Sequence, residues 1–457
     1  MVKKKFYITT AIDYVNARPH IGHAFEKVLA DALARYKKQK KYDVFFLTGV
    51  DENAQKNVQA AEKAGVSVKK FIDTNTGFFI ELVKALNISH DKFIRTSAKE
   101  HAKVVHEILK KVTDKGDIYK GKYEGLYCSG CEGYITEKEL VDGKCPEHNK
   151  KPEFMSEEAY FFKLGKYRSK LIEFIEKYIV PESKKKEILF RLKEGLNDLC
   201  VSRKGANLGV DFPGDKKYKV YVWIDALINY ISGAKEKWPA DVHVIGKGIN
   251  WFHSVIWPAI LMSADYKLPK TLLVHGYLNI AGKKISKSLG NTIDPLKLLE
   301  KYSADSVRYS LLKCSVFEDS DYSEEILITR HNNELANKLG NLVSRVSGLI
   351  EKNGIQKTQN KLIKKLNEKK IEKLIENYEF DKALNEIFAF IDLCNEYVQS
   401  KKPWETKDEK VLFELKESIL KIAELLWPFI PESSEKIKNQ FSVKNIKKQG
   451  ILFEKIK

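Results

Sequence analysis

Four groups of residues in this chain hold side chains that could do chemistry. "CSGC" places Cys128 and Cys131 two residues apart, and "CPEH" adds Cys145 and His148 after thirteen intervening residues. Two such knuckles match a closed tetrahedral zinc site, with Gly130, Gly133 and Gly143 suited to the tight turns. A full set of four ligands leaves no open position, so this zinc is expected to be structural. Nearer the start, "ARPHIGHAFEKVLADALARY" sets His20 and His23 around Gly22, just before an amphipathic pattern. Such a pair can hold a metal, fill a core or line a pocket for an anion. A metal would need further ligands, and none lies nearby in sequence. A loop leading into a helix N-terminus offers unsatisfied N–H groups and a positive dipole end, which suits an anion. Gly22 would let a flat base approach the backbone.

Two more groups complete the set. "GKKISKSLGN" carries Lys283, Lys284 and Lys287 with Ser286 and Ser288, a basic loop able to swing over phosphates. It is not a P-loop, because five residues separate Gly276 from Gly282 where four are required, and Lys-Lys follows. Among the aromatic residues Tyr14, Trp223, Tyr230, Trp251, Phe252 and Trp257, together with His253, most are expected in ordinary core. Tyr14 and the loop around His253, however, fall near strand ends where a small apolar ligand could bind. Asp51 stands at a third strand end, placed to meet an ammonium group.

The elements that must position these groups follow from periodicity. "KFYITTAIDY" reads as a buried strand, and Phe25, Val28, Leu29, Ala32, Leu33 and Tyr36 recur at helical spacing after it. "YDVFFLTGVDEN" is a second strand, followed by a helix that Gly65 stops. This alternation predicts an α/β fold with a parallel sheet whose ligands sit beyond the carboxyl ends of the strands. Residues 117–215 break the pattern and read as a connective insertion holding the zinc knuckle. Alternation returns over 216–325, and 326–457 is almost wholly helical. The expected organisation is therefore a Rossmann-like domain, 1–116 and 216–325, split by the insertion and followed by an all-α bundle. In that bundle, the lysines at 361, 364, 365, 369, 370 and 373 read equally as a solvated face or a nucleic-acid contact.

Composition narrows the partners. The 457 residues carry 80 basic and 62 acidic side chains, a net charge of +18, which favours a polyanion, nucleic acid before an anionic membrane surface. No apolar run is long enough to span a membrane. The basic N-terminus lacks the apolar stretch of a signal peptide, so a cytoplasmic enzyme is expected. Six cysteines make no disulfide framework, and Cys200, Cys314 and Cys394 read as core thiols.

"HIGH" after the first strand, paired with "KISKS" late in the second α/β half, resembles the double signature of class I aminoacyl-tRNA synthetases. "TGVDENAQK", "CSGC…CPEH", "VSRKG", "VYVWIDALINY", "GKGINWFHSVIWPAILM", "NELANKLGNLVSR" and "KKPW" are similar to the methionyl branch of that family along essentially the whole chain. The resemblance implies activation of L-methionine by ATP with Mg2+, then transfer to the 3′ end of tRNA(Met). It assigns ATP binding to His20, Gly22, His23, Lys284, Ser286 and Lys287, with the two histidines and the two lysines catalytic. It lines the methionine pocket with Ala11, Ile12, Tyr14, Trp223, Ala226, Tyr230, Ile249, His253 and Trp257. Asp51 would hold the α-ammonium, and Tyr14 and His253 would donate to the thioether. Asn341, Arg345 and Trp404 match the family's anticodon readers, a structural zinc fits the knuckle, and a monomer is expected since no further dimerising domain follows "ILFEKIK". The chain departs from the pattern at Ile285, where the loop usually has Met, and in "VDENA" for the commoner TDEHG. It also has Gly248 where the family usually places an aspartate near the ribose.

Overall fold

The computed structural model describes residues 3–128, 133–135, 137–146, 149–280, 282–284 and 292–457. The β-branched and aromatic run from Phe6 to Thr10 is buried throughout, as befits a strand covered on both faces, and forms β1 (Lys5–Thr10). Around it stand β2 (Asp13–Tyr14), β3 (Asp43–Asp51), β4 (Lys92–Arg95), β5 (Ile179–Val180), β6 (Val242–Gly246) and β7 (Leu272–His275). The sheet is parallel in every pairing, in the order β2-β3-β1-β6-β7-β5, with β4 along the other side of β3. The first half of the chain builds outward from β1 through β3, and the second builds the opposite way from β6 through β7. The crevice between β1 and β6 is thus a topological switch point, where parallel sheets place their ligands.

Helix α1 (Ile21–Gln39) buries every residue of the predicted apolar stripe, and more besides. Glu26, Lys27, Asp31 and Arg35 are also buried, which a stripe reading assigns to solvent. Buried charges persist only when paired. Lys27 meets Asp13 at 2.9 Å, and Arg35 meets Asp31 at 2.7 Å.

The segment read as an insertion is built on a long antiparallel hairpin, Ile118–Cys128 against Glu153–Phe162, with Gly133–Ile135 added beside its tip. It does not stay outside the main sheet. β5 comes back to pair with Leu272 and Leu273, and two residues ended by Pro181 carry no periodicity that sequence could reveal. The expected junction at 215 also falls at the start of the strand Asp215–Val220, which pairs with Ser202–Lys204 and Asp211–Phe212.

The C-terminal part is helical as expected. Its main elements here are α4 (Asn341–Asn353), α5 (Phe380–Lys401), α6 (Pro403–Thr406), α7 (Glu409–Leu426) and α8 (Pro431–Phe441); before it come α2 (Val222–Ser232), which precedes β6, and α3 (Ala304–Leu312). One apolar core runs from Phe6, Phe25 and Leu33 through Val307 to Leu384 and Ile419. A second fills the opposite face of the sheet, around α2 and the base of the insertion. The first is crossed by Arg308 of α3, which is wholly buried. Its guanidinium lies 2.7 Å from Asp31 of α1 and donates to the carbonyls of Leu86, Pro428 and Phe429. Burial alone would raise the Asp31 carboxyl, but Arg308, Arg35 and the Ser89 amide outweigh it and hold it below the usual carboxylate value. Cys200, Cys314 and Cys394 are buried thiols. Among the described residues, no helix is long and apolar enough to cross a membrane.

Candidate active site

His20 is the N-cap of α1, and the cap fixes its chemistry. Its Nδ1 accepts from the Gly22 amide at 3.1 Å, while His23 Nδ1 accepts from the His20 amide at 3.0 Å. This is a capping box in which two imidazoles replace the usual hydroxyl and carboxylate. A ring nitrogen that accepts from an amide carries no proton, so each neutral ring keeps its proton on Nε2. The rings stack at 3.7 Å between centroids, so both Nε2–H donors leave from the positive end of one helix. The metal reading of the pair fails here, because each nitrogen able to ligate is already an acceptor for the backbone. Gly22 serves the same cap: a Cβ there would stand 3.0 Å from two atoms of the His20 ring. That close approach, rather than a nucleotide base, is the nearest demand on the glycine.

The loop before α1 is tied to the far signature. The Ile21 amide donates to the Ile293 carbonyl at 2.9 Å, and Arg18 pairs with Asp294 at 2.9 Å. The exit of the lysine loop is thereby bonded to the histidine loop. Lys283–Lys284 forms a short strand against Asn279 and Ile280. Ser286 and Lys287 lie outside the described residues.

Behind the histidines opens a cavity of about 370 Å³ at the switch point. Ala11, Ile12, Tyr14, Asp51, Trp223, Ala226, Tyr230, Ile249 and His253 all line it, together with His20, Gly22 and His23. The β2–β3 register sets Tyr14 directly beside Asp51. Asp51 is 2% exposed, and its carboxylate accepts from the Asn53 amide at 3.0 Å and the Thr96 hydroxyl at 3.3 Å. Trp223 stacks on Phe252 at 3.8 Å, and Tyr14 meets it edge-on. Trp257 departs from expectation: it is fully buried behind Tyr230, 6.1 Å between rings, and braces the wall without lining it.

His253 also departs from its expected part. Its Nδ1 lies 3.1 Å from the Ile249 carbonyl, which can only accept, so the proton sits on Nδ1. Nε2 then accepts from the Tyr230 hydroxyl at 2.7 Å. Both nitrogens are committed within the wall, and His253 orients Tyr230 instead of donating to a thioether. A π-helical turn, Phe252–Ile256, carries it, a deformation frequent at functional sites.

Burial pushes this imidazole down to about 4 from the ordinary 6.5, and burial also holds His243 well below that range. Between these two values the unfolded chain binds protons that the folded chain refuses. Stability must therefore fall as pH drops from about 6.5 toward 4, by about 3 kcal/mol for His253 alone. Thermal melts across that window should show the fall, and His253→Gln should flatten it. An unchanged slope would mean that other groups carry the acid sensitivity.

Several cavity residues were not foreseen. Glu26 lines it, accepting from buried Lys27 at 3.2 Å and meeting His275 Nε2 at 3.2 Å. Tyr277 lines it too, and its place just past the carboxyl end of β7 was the only available signal. The arrangement as a whole suits a ligand with an ammonium for Asp51, an apolar body for the aromatic slot and an anionic tail for the histidines.

A second groove lies in the helical region, lined by Asn341, Ser344, Arg345, Gly348, Leu349, Trp404 and Lys448. Asn341 and Arg345 sit one turn apart on α4, and α6 presents Trp404, 38% exposed. The Arg345 guanidinium lies 4.5 Å over the indole and donates to Gln399 at 2.7 Å. An exposed indole beside amide and guanidinium donors suits an unpaired base. Lys448 had no signal in sequence.

Of the expected zinc ligands, Cys131 and His148 lie outside the described residues. Cys128, at the end of its strand, and Cys145 are each 1% exposed.

Comparisons with known proteins cover nearly the whole chain. The family model for class I tRNA synthetases (M) matches residues 6–151 and 147–347, and that for the anticodon-binding domain of tRNA ligase matches 359–455. The methionine–tRNA ligase of Clostridium acetobutylicum is 44% identical over 96% of this chain and 74% of its own. That of Rickettsia conorii is 41% identical over 96% and 93%. Among solved structures, Mycobacterium tuberculosis methionyl-tRNA synthetase in complex with methionyl-adenylate superposes with a TM-score of 0.92 at 36% identity, covering 96% of this chain and 94% of that one.

Proposed function

The chain belongs to the methionyl class I tRNA synthetases, and on that premise we propose that the switch-point cavity is where L-methionine meets ATP. The enzyme is a methionine–tRNA ligase. ATP enters as its Mg2+ complex, a methionine carboxylate oxygen bonds to the α-phosphorus, and the bond to the β-phosphate oxygen breaks to release pyrophosphate. The 3′-terminal ribose hydroxyl of tRNA(Met) then attacks the carbonyl of methionyl-adenylate, and AMP leaves.

Asp51 holds the α-ammonium, while Tyr14, Trp223 and Tyr230 enclose the side chain. The Nε2–H groups of His20 and His23 stabilise charge developing on the phosphates, joined by Lys284 and Lys287. Chemistry of this kind needs alignment and charge stabilisation more than any covalent help from the protein. The observation that supports the reading is the capping box, which leaves the Nε2–H of both rings at one helix end, on the wall of the cavity that Asp51 and the aromatic slot share. The test is ATP–pyrophosphate exchange with each amino acid in turn. Methionine-dependent exchange is expected; exchange with cysteine alone would point to a sister enzyme, and none at all to a binding protein. A slot lacking a donor from His253 should reject homocysteine poorly.

In the second groove, Trp404 stacks on an anticodon base whose edges Asn341 and Arg345 read. Trp404→Ala should lower tRNA charging by about 10- to 100-fold, the worth of one stacked base, and leave exchange intact. Equal loss in both assays would make Trp404 a packing residue.

Cys128, Cys131, Cys145 and His148 would hold one structural zinc, which supplies a rigid cross-link and no catalytic step. Cys128 and Cys145 fit that part, being buried thiols at the outer end of the hairpin. Elemental analysis should find one zinc per chain, lost in Cys145→Ser; less than roughly half a zinc in the parent would refute the site. We propose a cytoplasmic location, which suits these substrates, with the insertion, 117–215, serving as the connective part.

A further inference from the structure

Gly248 lies on the cavity floor, in the single helical turn Lys247–Ile249 that follows β6. A Cβ built there would stand 2.0 Å from the Tyr277 hydroxyl oxygen and 3.3 Å from its Cζ. No side chain at 248 can coexist with the phenol in this arrangement. The hydroxyl occupies the space that a residue-248 side chain would use. Tyr277 is held there from several directions. The turn carrying it is pressed against its neighbour so closely that a Cβ on Gly276 would meet the Glu318 backbone at 2.5 Å. Its amide donates to Asp319 at 2.9 Å. Asp319 in turn grips the Lys247 ammonium at 2.7 Å, and that ammonium lies 4.7 Å from the centre of the Tyr277 ring.

The cavity has two ends. Asp51 and the aromatic slot form one, and Gly246, Gly248 and Gly276 form the other, beyond the carboxyl ends of β6 and β7. If the first takes methionine, as the proposed function has it, the nucleoside of ATP is left with the glycine floor, where close backbone approach is possible. A ribose laid there brings two hydroxyls that need partners once dehydrated. A phenol can both donate to and accept from such a group. The geometry points to Tyr277 as the residue that binds the ATP ribose hydroxyls in this chain, taking over at Gly248 the place of a side chain.

The inference rests on the cavity being the ATP site, and its test separates the two. In methionine-dependent exchange by the full chain, Tyr277→Phe should raise the ATP KM about tenfold, the worth of one hydrogen bond, with the methionine KM unchanged. The parent should discriminate against 2′-deoxy-ATP or 3′-deoxy-ATP, a reading that needs no variant, and Tyr277→Phe should lose that discrimination. Gly248→Asp alone should impair ATP use, and adding Tyr277→Ala should restore it. Parent-like ATP KM and undiminished discrimination in Tyr277→Phe would overturn the inference while leaving the activity standing. Absence of exchange in the parent would overturn both.

Discussion

His20→Asn and His23→Gln should each lower the kcat of methionine-dependent ATP–pyrophosphate exchange by about 10²–10³, the usual cost of one lost transition-state donor. The methionine KM should barely change, since neither ring is needed to hold the ammonium or the side chain. The replacements are chosen for the cap. Asparagine is a strong N-cap residue, and glutamine completes a capping box from the third helical position. Helix α1 should therefore remain folded, and melting temperatures should stay near the parent's. What is lost is the Nε2–H that each cap-fixed tautomer presents. The double variant should fall little further than the worse single one, because groups acting as a unit are not additive. A drop of only a few-fold in kcat with a raised methionine KM would instead make the histidines pocket walls.

Arg308→Met should cost about 3–5 kcal/mol of stability, the penalty for stripping one partner from a buried ion pair. Four contacts vanish together: the pair with Asp31 and the bonds to the carbonyls of Leu86, Pro428 and Phe429. Asp31 keeps Arg35, so its charge is not wholly orphaned, but the three carbonyls lose their donor. Arg308→Lys should recover only part of the loss, since an ammonium cannot fork toward several acceptors. Denaturant unfolding of the three proteins measures the order. Equal stability of Arg308→Met and the parent would mean that methionine packing replaces everything the guanidinium does.

How much of this was legible in the sequence can be traced residue by residue. His20, His23, Asp51 and Tyr14 could be placed because each stands within a few residues of a strand end, and local pattern fixes such ends well. The apolar stripe of α1 was legible for the same reason. Lost to sequence were the features that depend on what comes from far along the chain. Lys27 and Arg35 look solvent-facing until Asp13 and the sheet close over them. Arg308 shows nothing of its partner 277 positions earlier. His253 reads as a donor until the carbonyl of Ile249 and the hydroxyl of Tyr230 claim both nitrogens. Gly248 reads as a deficit until Tyr277 is seen above it. β5 is too short to have a period.

The unbroken apolar core from Phe6 to Ile419 bears on how such a protein can change. The helical region shares its interior with the sheet, so it is not a cassette that could be detached or exchanged. Removing it would strip the floor from α1, and with it the helix end that aims both histidines. On the proposed reading of the second groove, new base preferences must then arise by single replacements along α4 and α6, each made while the rest of the chain stays whole.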